Sequence, residues 1–142
     1  MMDRLRKLLR GSNPVFVRDM RKEGWKLLEH VPRRIQSVAN LELVPFLKGE
    51  SYMNGPELVR QAREELDANY GQEDAEFLLQ HQEEIQEGFR NFILVFTATI
   101  WGDPYGFRNV AYLDWSRGRW DLDFRWLDEA FYSSFRLLRL HK

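Results

Sequence analysis

The stretch from Leu113 to Trp126 constrains the fold more than any other part of the chain. Taken alternately, one register holds Leu113, Trp115, Trp120, Leu122, Phe124 and Trp126. The other holds Asp114, Ser116, Arg119, Asp121, Asp123 and Arg125. Successive side chains of a strand point to opposite faces, so the first register makes a buried wall while the second stands in solvent. Ser116-Arg117-Gly118 interrupts the alternation at the length of a hairpin connection. A ribbon that is apolar behind and chemically varied in front suits a surface that binds something better than a pocket built around one reaction.

The rest of the chain supplies enough material to bury that wall. Its 142 residues predict one domain, and 44% hydrophobic with 14% aromatic residues exceeds what disordered chains carry. No apolar run approaches the roughly 20 residues that span a bilayer. Met1 to Arg10 is basic and lacks the apolar core and cleavage site of a signal peptide. The absence of cysteine excludes disulfides, thiolate metal sites and cysteine nucleophiles, and leaves the compartment open. Net charge is −1 but uneven: residues 1–40 carry ten Lys/Arg against four Asp/Glu, and residues 41–90 carry four against twelve. The basic start admits contact with nucleic acid or an acidic membrane. The plainer reading is a solvated amphipathic helix docked through Leu5, Leu8 and Leu9, with residues 1–40 as a basic extension and 41–142 as the domain proper.

Residues 15–34 admit two readings: Met20, Leu27, Leu28 and Val31 share a helical face, whereas Trp25, Leu27, Glu29 and Val31 alternate like a strand. Leu41 to Leu47 reads as a strand, with Pro45 placing it at an edge. After a loop from Gly49 to Gly55, Pro56 opens a helix whose face is Leu58, Val59, Ala62 and Leu66. A second helix, from about Glu73 to Glu87, carries acids in its first turn and a Leu78, Gln82, Ile85, Phe89 stripe. Phe92 to Trp101 is a strand apolar on both faces, hence covered on both, with the helix pair on one of them. Arg108 to Trp115 and Arg119 to Trp126 form the hairpin, Leu127 to Ser134 a loop, and Phe135 to Leu140 a closing strand. The expected fold is α+β, two helices packed on a mainly antiparallel sheet.

That element order resembles the C-type-lectin-like fold, in which the first and last strands pair. The block YLDWSRGRWDLDFRWLDEAFYSSFRLLRL resembles the variable region of target proteins of diversity-generating retroelements. In such proteins a reverse transcriptase randomises adenines near the end of the gene, and diversified solvent-facing residues alternate with fixed apolar ones on a lectin-like scaffold. The resemblance implies a non-enzymatic ligand-binding protein without a cofactor. It implies a fixed set of Trp115, Gly118, Trp120, Leu122, Phe124, Trp126, Leu127 and Arg136. The ligand-binding set it implies is Asp114, Ser116, Asp121, Asp123, Arg125, Tyr132, Ser134 and Phe135. The implied partner is a protein or cell-surface ligand. The Gly-Gly-Ser-Trp signature of many such domains is replaced here by Arg119-Trp120.

Two other chemistries compete. Asp121 and Asp123, about 6.6–6.8 Å apart along one strand face, have the makings of a paired-carboxylate site acting on a carbohydrate. Such a site needs unlike surroundings to separate the two pKa values, and interleaved Arg119 and Arg125 make a solvated charge ladder the simpler view. A nucleic-acid-associated accessory protein would use the basic residues 4–34. In the hairpin, Asp114, Asp121 and Asp123 oppose a nucleic-acid role electrostatically, and no specific nucleic acid is expected. His30, His81 and His141 do not cluster in sequence, and no acidic loop has the pattern of a calcium site, so no metal is expected. Tyr105, Phe107, Tyr132 and Phe135, in or beside turns, are the aromatic contact candidates.

Overall fold

The computed structural model describes residues 14–141. Among these residues the architecture is α+β: eight strands and two α-helices, most of the strands in one largely antiparallel sheet. Strand β4 (Ile93–Gly102) is its spine. On one side β4 pairs with β5 (Arg108–Ser116), which pairs with β6 (Arg119–Trp126) at the sheet edge. On the other side β4 pairs in parallel with β8 (Phe135–Leu140) at one end and antiparallel with β1 (Lys26–Glu29) at the other. Strand β2 (Leu41–Val44) pairs antiparallel with β8, so an early strand and the last one lie together. A separate two-stranded ribbon joins β3 (Tyr52–Asn54) to β7 (Ala130–Tyr132).

Helix α1 (Gly55–Glu64) starts where the sequence places it. The Asn54 side chain accepts the Glu57 amide at 2.9 Å, and Pro56 occupies the first turn where a missing N–H leaves nothing unpaired. Helix α2 (Gln72–Leu79) is half the expected length. Gln82 leaves the helical path to bracket the Trp120 backbone, accepting its N–H at 2.9 Å and donating to its C=O at 3.1 Å. Two short 3-10 turns, Gln82–Glu84 and Glu87–Asn91, complete the connection. The Leu78–Ile85–Phe89 stripe still points into the core, because tertiary contacts rather than helical period hold it there.

The helices do not form a pair on one face of the sheet. Leu58, Val59 and Ala62 of α1 pack with Val95, Val110 and Leu137, whereas Ala75 and Leu78 of α2 pack with Leu94, Phe96, Leu113 and Trp120. Residues 94 and 96 face opposite to residue 95, so α1 and α2 lie on opposite faces with β4 buried between them. Two adjacent helices joined by the short 65–71 connection therefore pass from one face to the other. The segments read from sequence as loops at Gly49 to Gly55 and Leu127 to Ser134 contain β3 and β7.

Residues 14–40 are built into the body. Lys26 and Leu27 pair with Gly102 and Trp101, so the ambiguous segment contributes a short strand, Lys26–Glu29, after a 3-10 turn at Met20–Glu23. Phe16 and Met20 bury against Trp101, and Ile35 and Val38 join the α2 side of the core. Buried Asp74 holds this segment: Oδ1 accepts the amides of Arg34 and Ile35, both at 2.8 Å, and Oδ2 caps α2 through the Gly71 amide at 3.0 Å. The amphipathic helix expected at Leu5, Leu8 and Leu9 lies outside the described residues.

Candidate functional site

Strands β5 and β6 set the geometry of the candidate surface. Leu113 faces Leu122 and Trp115 faces Trp120 across the hairpin, and this side lies under α2. Trp120 is 1% exposed. On the opposite side Tyr112 faces Asp123, Asp114 faces Asp121, and Ser116 faces Arg119. Arg117 and Gly118, both at positive φ, close the hairpin in the manner of a type I′ turn, whose twist matches the strands. The front side is open beyond Val110, where the α1-side core ends.

The eight sequence-predicted positions divide. Ser116 and Asp123 are exposed, and Asp114 and Asp121 are half-buried on the same open face. Burial raises the Asp114 carboxyl above its usual range, and the neighbouring charges of Asp121 and Asp123 add to the effect. Like charges directly opposite across a hairpin are unfavourable, so this face stores a local electrostatic cost. Tyr132 and Ser134 are exposed on and beside the β3–β7 ribbon, where the Tyr132 ring lies 6.3 Å from that of Tyr52.

Two positions behave otherwise. Phe135 is 5% exposed and packs edge-on against Phe131 at 5.2 Å, so it is a core residue. Its alternation partner at the start of β8 sets this: Leu137, on the same side, is buried with it. Arg125 keeps only 21% of its side chain exposed. Its guanidinium lies over the rings of Phe131 and Phe135, donates to the Ala130 carbonyl and pairs with Glu129 at 3.0 Å. Arg125 thus clasps β6 to the β7 connection rather than standing free.

Trp126, placed inward by alternation, is 46% exposed and stacks on Phe107 with ring centroids 4.8 Å apart. The strand ends there, so no layer is left to cover it. Tyr105 is 85% exposed beside this stack, in a loop that Asp103 organises by accepting the Tyr105 and Phe107 amides, each at 3.0 Å. Partial burial pushes the Asp103 carboxyl up, but donors from Phe107, Asn109, Tyr105 and Trp126 outweigh it and hold it below the usual range. Sequence reasoning picked out Tyr105 and Phe107 and missed Tyr52 and Trp25. Tyr52 sits in a three-residue strand too short to show a period, and Trp25 lies in the segment with two readings.

A cleft of about 430 Å3 follows the outer edge of β6. Tyr112, Asp123, Arg125 and Glu129 reach it from one side, and Arg18, Met20, Trp25, Phe124 and Trp126 from the other. Arg18 donates to the Leu122 carbonyl at 3.0 Å and lies over the Phe124 ring, so the segment before β1 straps the sheet edge.

Other groups with chemical potential lie elsewhere. His81, Glu83 and Glu84 bring ligand-type atoms within 4.8 Å of one another at a surface turn, where His81 Nδ1 and Glu84 already pair at 3.1 Å. His30 is buried between Thr99 and Glu73. No helix among the described residues is long and apolar enough to cross a membrane. Comparison with known protein families, curated proteins and solved structures finds no match to this chain.

Proposed function

We propose that this protein is a non-enzymatic ligand-binding module of C-type-lectin-like fold, a variable target protein of a diversity-generating retroelement. Its front face of Tyr112, Asp114, Ser116, Asp121 and Asp123, flanked by Tyr132 and Ser134, meets a protein or cell-surface ligand. The observation that carries the reading is the two-sided hairpin. Trp120 and Leu113 are fully buried, while Asp114, Ser116, Asp121 and Asp123, which alternate with them, stand half-buried or exposed on an open sheet face. Such positions tolerate replacement, which is what a diversified surface requires. The pairing of β2 with β8 and the long excursion between them support the lectin-like part of the proposal. The open face also favours recognition over paired-carboxylate catalysis by Asp121 and Asp123, which calls for an enclosed site with unlike surroundings.

The test is a pair of thermal melts. Replacing Asp114, Ser116, Asp121, Asp123 and Tyr132 together with other polar residues is expected to leave the melting temperature nearly unchanged. Trp120→Ala is expected to cost about 3–5 kcal/mol, as large-to-small changes in packed cores do. Equal destabilisation by both changes would overturn the display reading. At the level of the gene, a near-copy of the segment encoding the hairpin, followed by a reverse transcriptase, is the expected neighbour.

A further inference from the structure

We propose that Arg136 and Arg90 form a receptor for a carboxylate, an aspartate or glutamate side chain offered by a protein partner. The site lies on the α2 side of the sheet, opposite the Asp114–Asp123 face, and stands whether or not that face displays a ligand. Strand register places it. Leu94 pairs with Leu113 on one side and with Arg136 on the other, and two residues earlier in the chain Phe92 comes opposite Trp115. The Arg136 guanidinium lies 4.1 Å from the centre of the Phe92 ring, and the Arg90 guanidinium lies 3.8 Å from the centre of a Trp115 ring. Both aromatic side chains are half-buried against the α2-side core, so they are fixed supports for the two cations.

Arg136 is oriented but not neutralised. Its Nη1 donates to the Phe135 carbonyl at 2.8 Å and to the Ser133 carbonyl, which fixes the plane of the group. Arginine also carries donors on Nε and Nη2, and these have no partner among the described residues. The unpaired side-chain polar atoms sealed from solvent are Gln61 Oε1, Trp120 Nε1 and Arg125 Nε, so the Nε–Nη2 edge of Arg136 is open to solvent. Arg60, Arg108, Arg119, Arg125 and Arg139 each hold a carboxylate, whereas Arg136 holds none among the described residues. Burial lowers the Arg136 pKa, and no neighbouring acid offsets it. A partly desolvated charge is normally paired, and a side chain that breaks this rule marks a place where a ligand supplies the counter-charge. The open edge has the fork geometry that grips a carboxylate through two parallel hydrogen bonds. Arg90 adds a second cation that is only loosely engaged, since Glu87 lies 3.9 Å away and is 87% exposed. Glu87 also decides the size of the ligand. A row of phosphates on a nucleic acid or membrane would meet its charge, while a single carboxylate fits beside it.

The experiment is an NMR titration of the intact chain, following amide, indole and arginine Nε–H signals. The probes are acetyl-Gly-Glu-Gly-amide, acetyl-Gly-Arg-Gly-amide and inorganic phosphate. The glutamate peptide is expected to shift the Arg136 Nε–H, the Trp115 indole and the Ser134 amide, and the arginine peptide is expected to leave them in place. Arg136→Gln, with its fold checked by a thermal melt, is expected to weaken the glutamate peptide about fivefold. Arg90→Gln is expected to weaken it about twofold to threefold, the scale of one exposed ion pair. If Arg136→Gln does not fold, Arg90→Gln, a change on a surface turn, decides alone. Equal response to the two peptides, larger shifts at Arg33 and Arg34 than at Arg136, or undiminished binding by the folded variants would each overturn the proposal. Phosphate binding at the same signals more tightly than the glutamate peptide would also overturn it, replacing the protein carboxylate by a phosphate-bearing ligand.

Discussion

His30 shows how closely one side chain is specified by its neighbours. The Gln72 amide donates to Thr99 Oγ1 at 2.9 Å, which leaves the Thr99 hydroxyl proton to point at His30 Nδ1, also at 2.9 Å. The remaining ring nitrogen then donates to Glu73 at 2.7 Å. Burial holds its pKa below the usual histidine range, against the opposing pull of Glu73. Because folding lowers this pKa, the unfolded chain binds the proton more readily. The stability contribution is intact above the unfolded value of about 6.5 and drains as pH falls below it toward the folded value. Thermal melts are expected to be flat from pH 8 to 7 and to decline below about pH 6.5. His30→Gln, which keeps one donor and one acceptor, is expected to remove that part of the slope. None of this was visible in sequence, where His30 is one histidine before a valine and a proline. Residue-level polar networks depend on which segments meet, and that is not a local property.

At the scale of elements, periodicity was readable where a single face decides burial and failed where tertiary bonds decide. The β5–β6 hairpin, β4, β8 and the start of α1 follow directly from alternation, β-branched runs and the helix-opening Pro56. The resemblance placed Phe135 outward and alternation placed Trp126 inward; both lie at strand ends, where the covering layer changes, and the structure buries the first and exposes the second. Strands β3 and β7 escaped notice because three-residue strands exist only as a pair. Their closeness to α1 explains a glycine. A Cβ on Gly55 would lie 1.6 Å from the Leu127 carbonyl oxygen, so only glycine lets the helix start against the β6–β7 connection. Gly55→Ala is therefore expected to destabilise by about 3 kcal/mol in urea unfolding, since backbone rather than a flexible side chain must yield. Gly88→Ala, where a Cβ meets open space, is expected to stay within about 0.5 kcal/mol.

At the scale of the whole molecule, the chain before β1 ties the face that carries α2 to the edge that carries the cleft. The buried Glu76 carboxylate accepts the Val17 amide at 2.9 Å and the Arg18 amide at 2.7 Å, while Gln72 donates to the Arg18 carbonyl at 2.7 Å. That α2 end of the strap positions Arg18 against Leu122 and, further on, Trp25 against Phe124, with ring centroids 5.4 Å apart. A sequence reader sees a basic, weakly patterned segment here, because its order comes from side chains fifty or more residues away. Glu76→Gln replaces one acceptor oxygen with a donor that meets an amide N–H head-on, leaving a buried donor unpaired at a cost of about 1–3 kcal/mol. The loss is expected to be local. Hydrogen exchange should quicken at Val17 and Arg18 while the β4 amides keep their protection, since strap and sheet spine open separately.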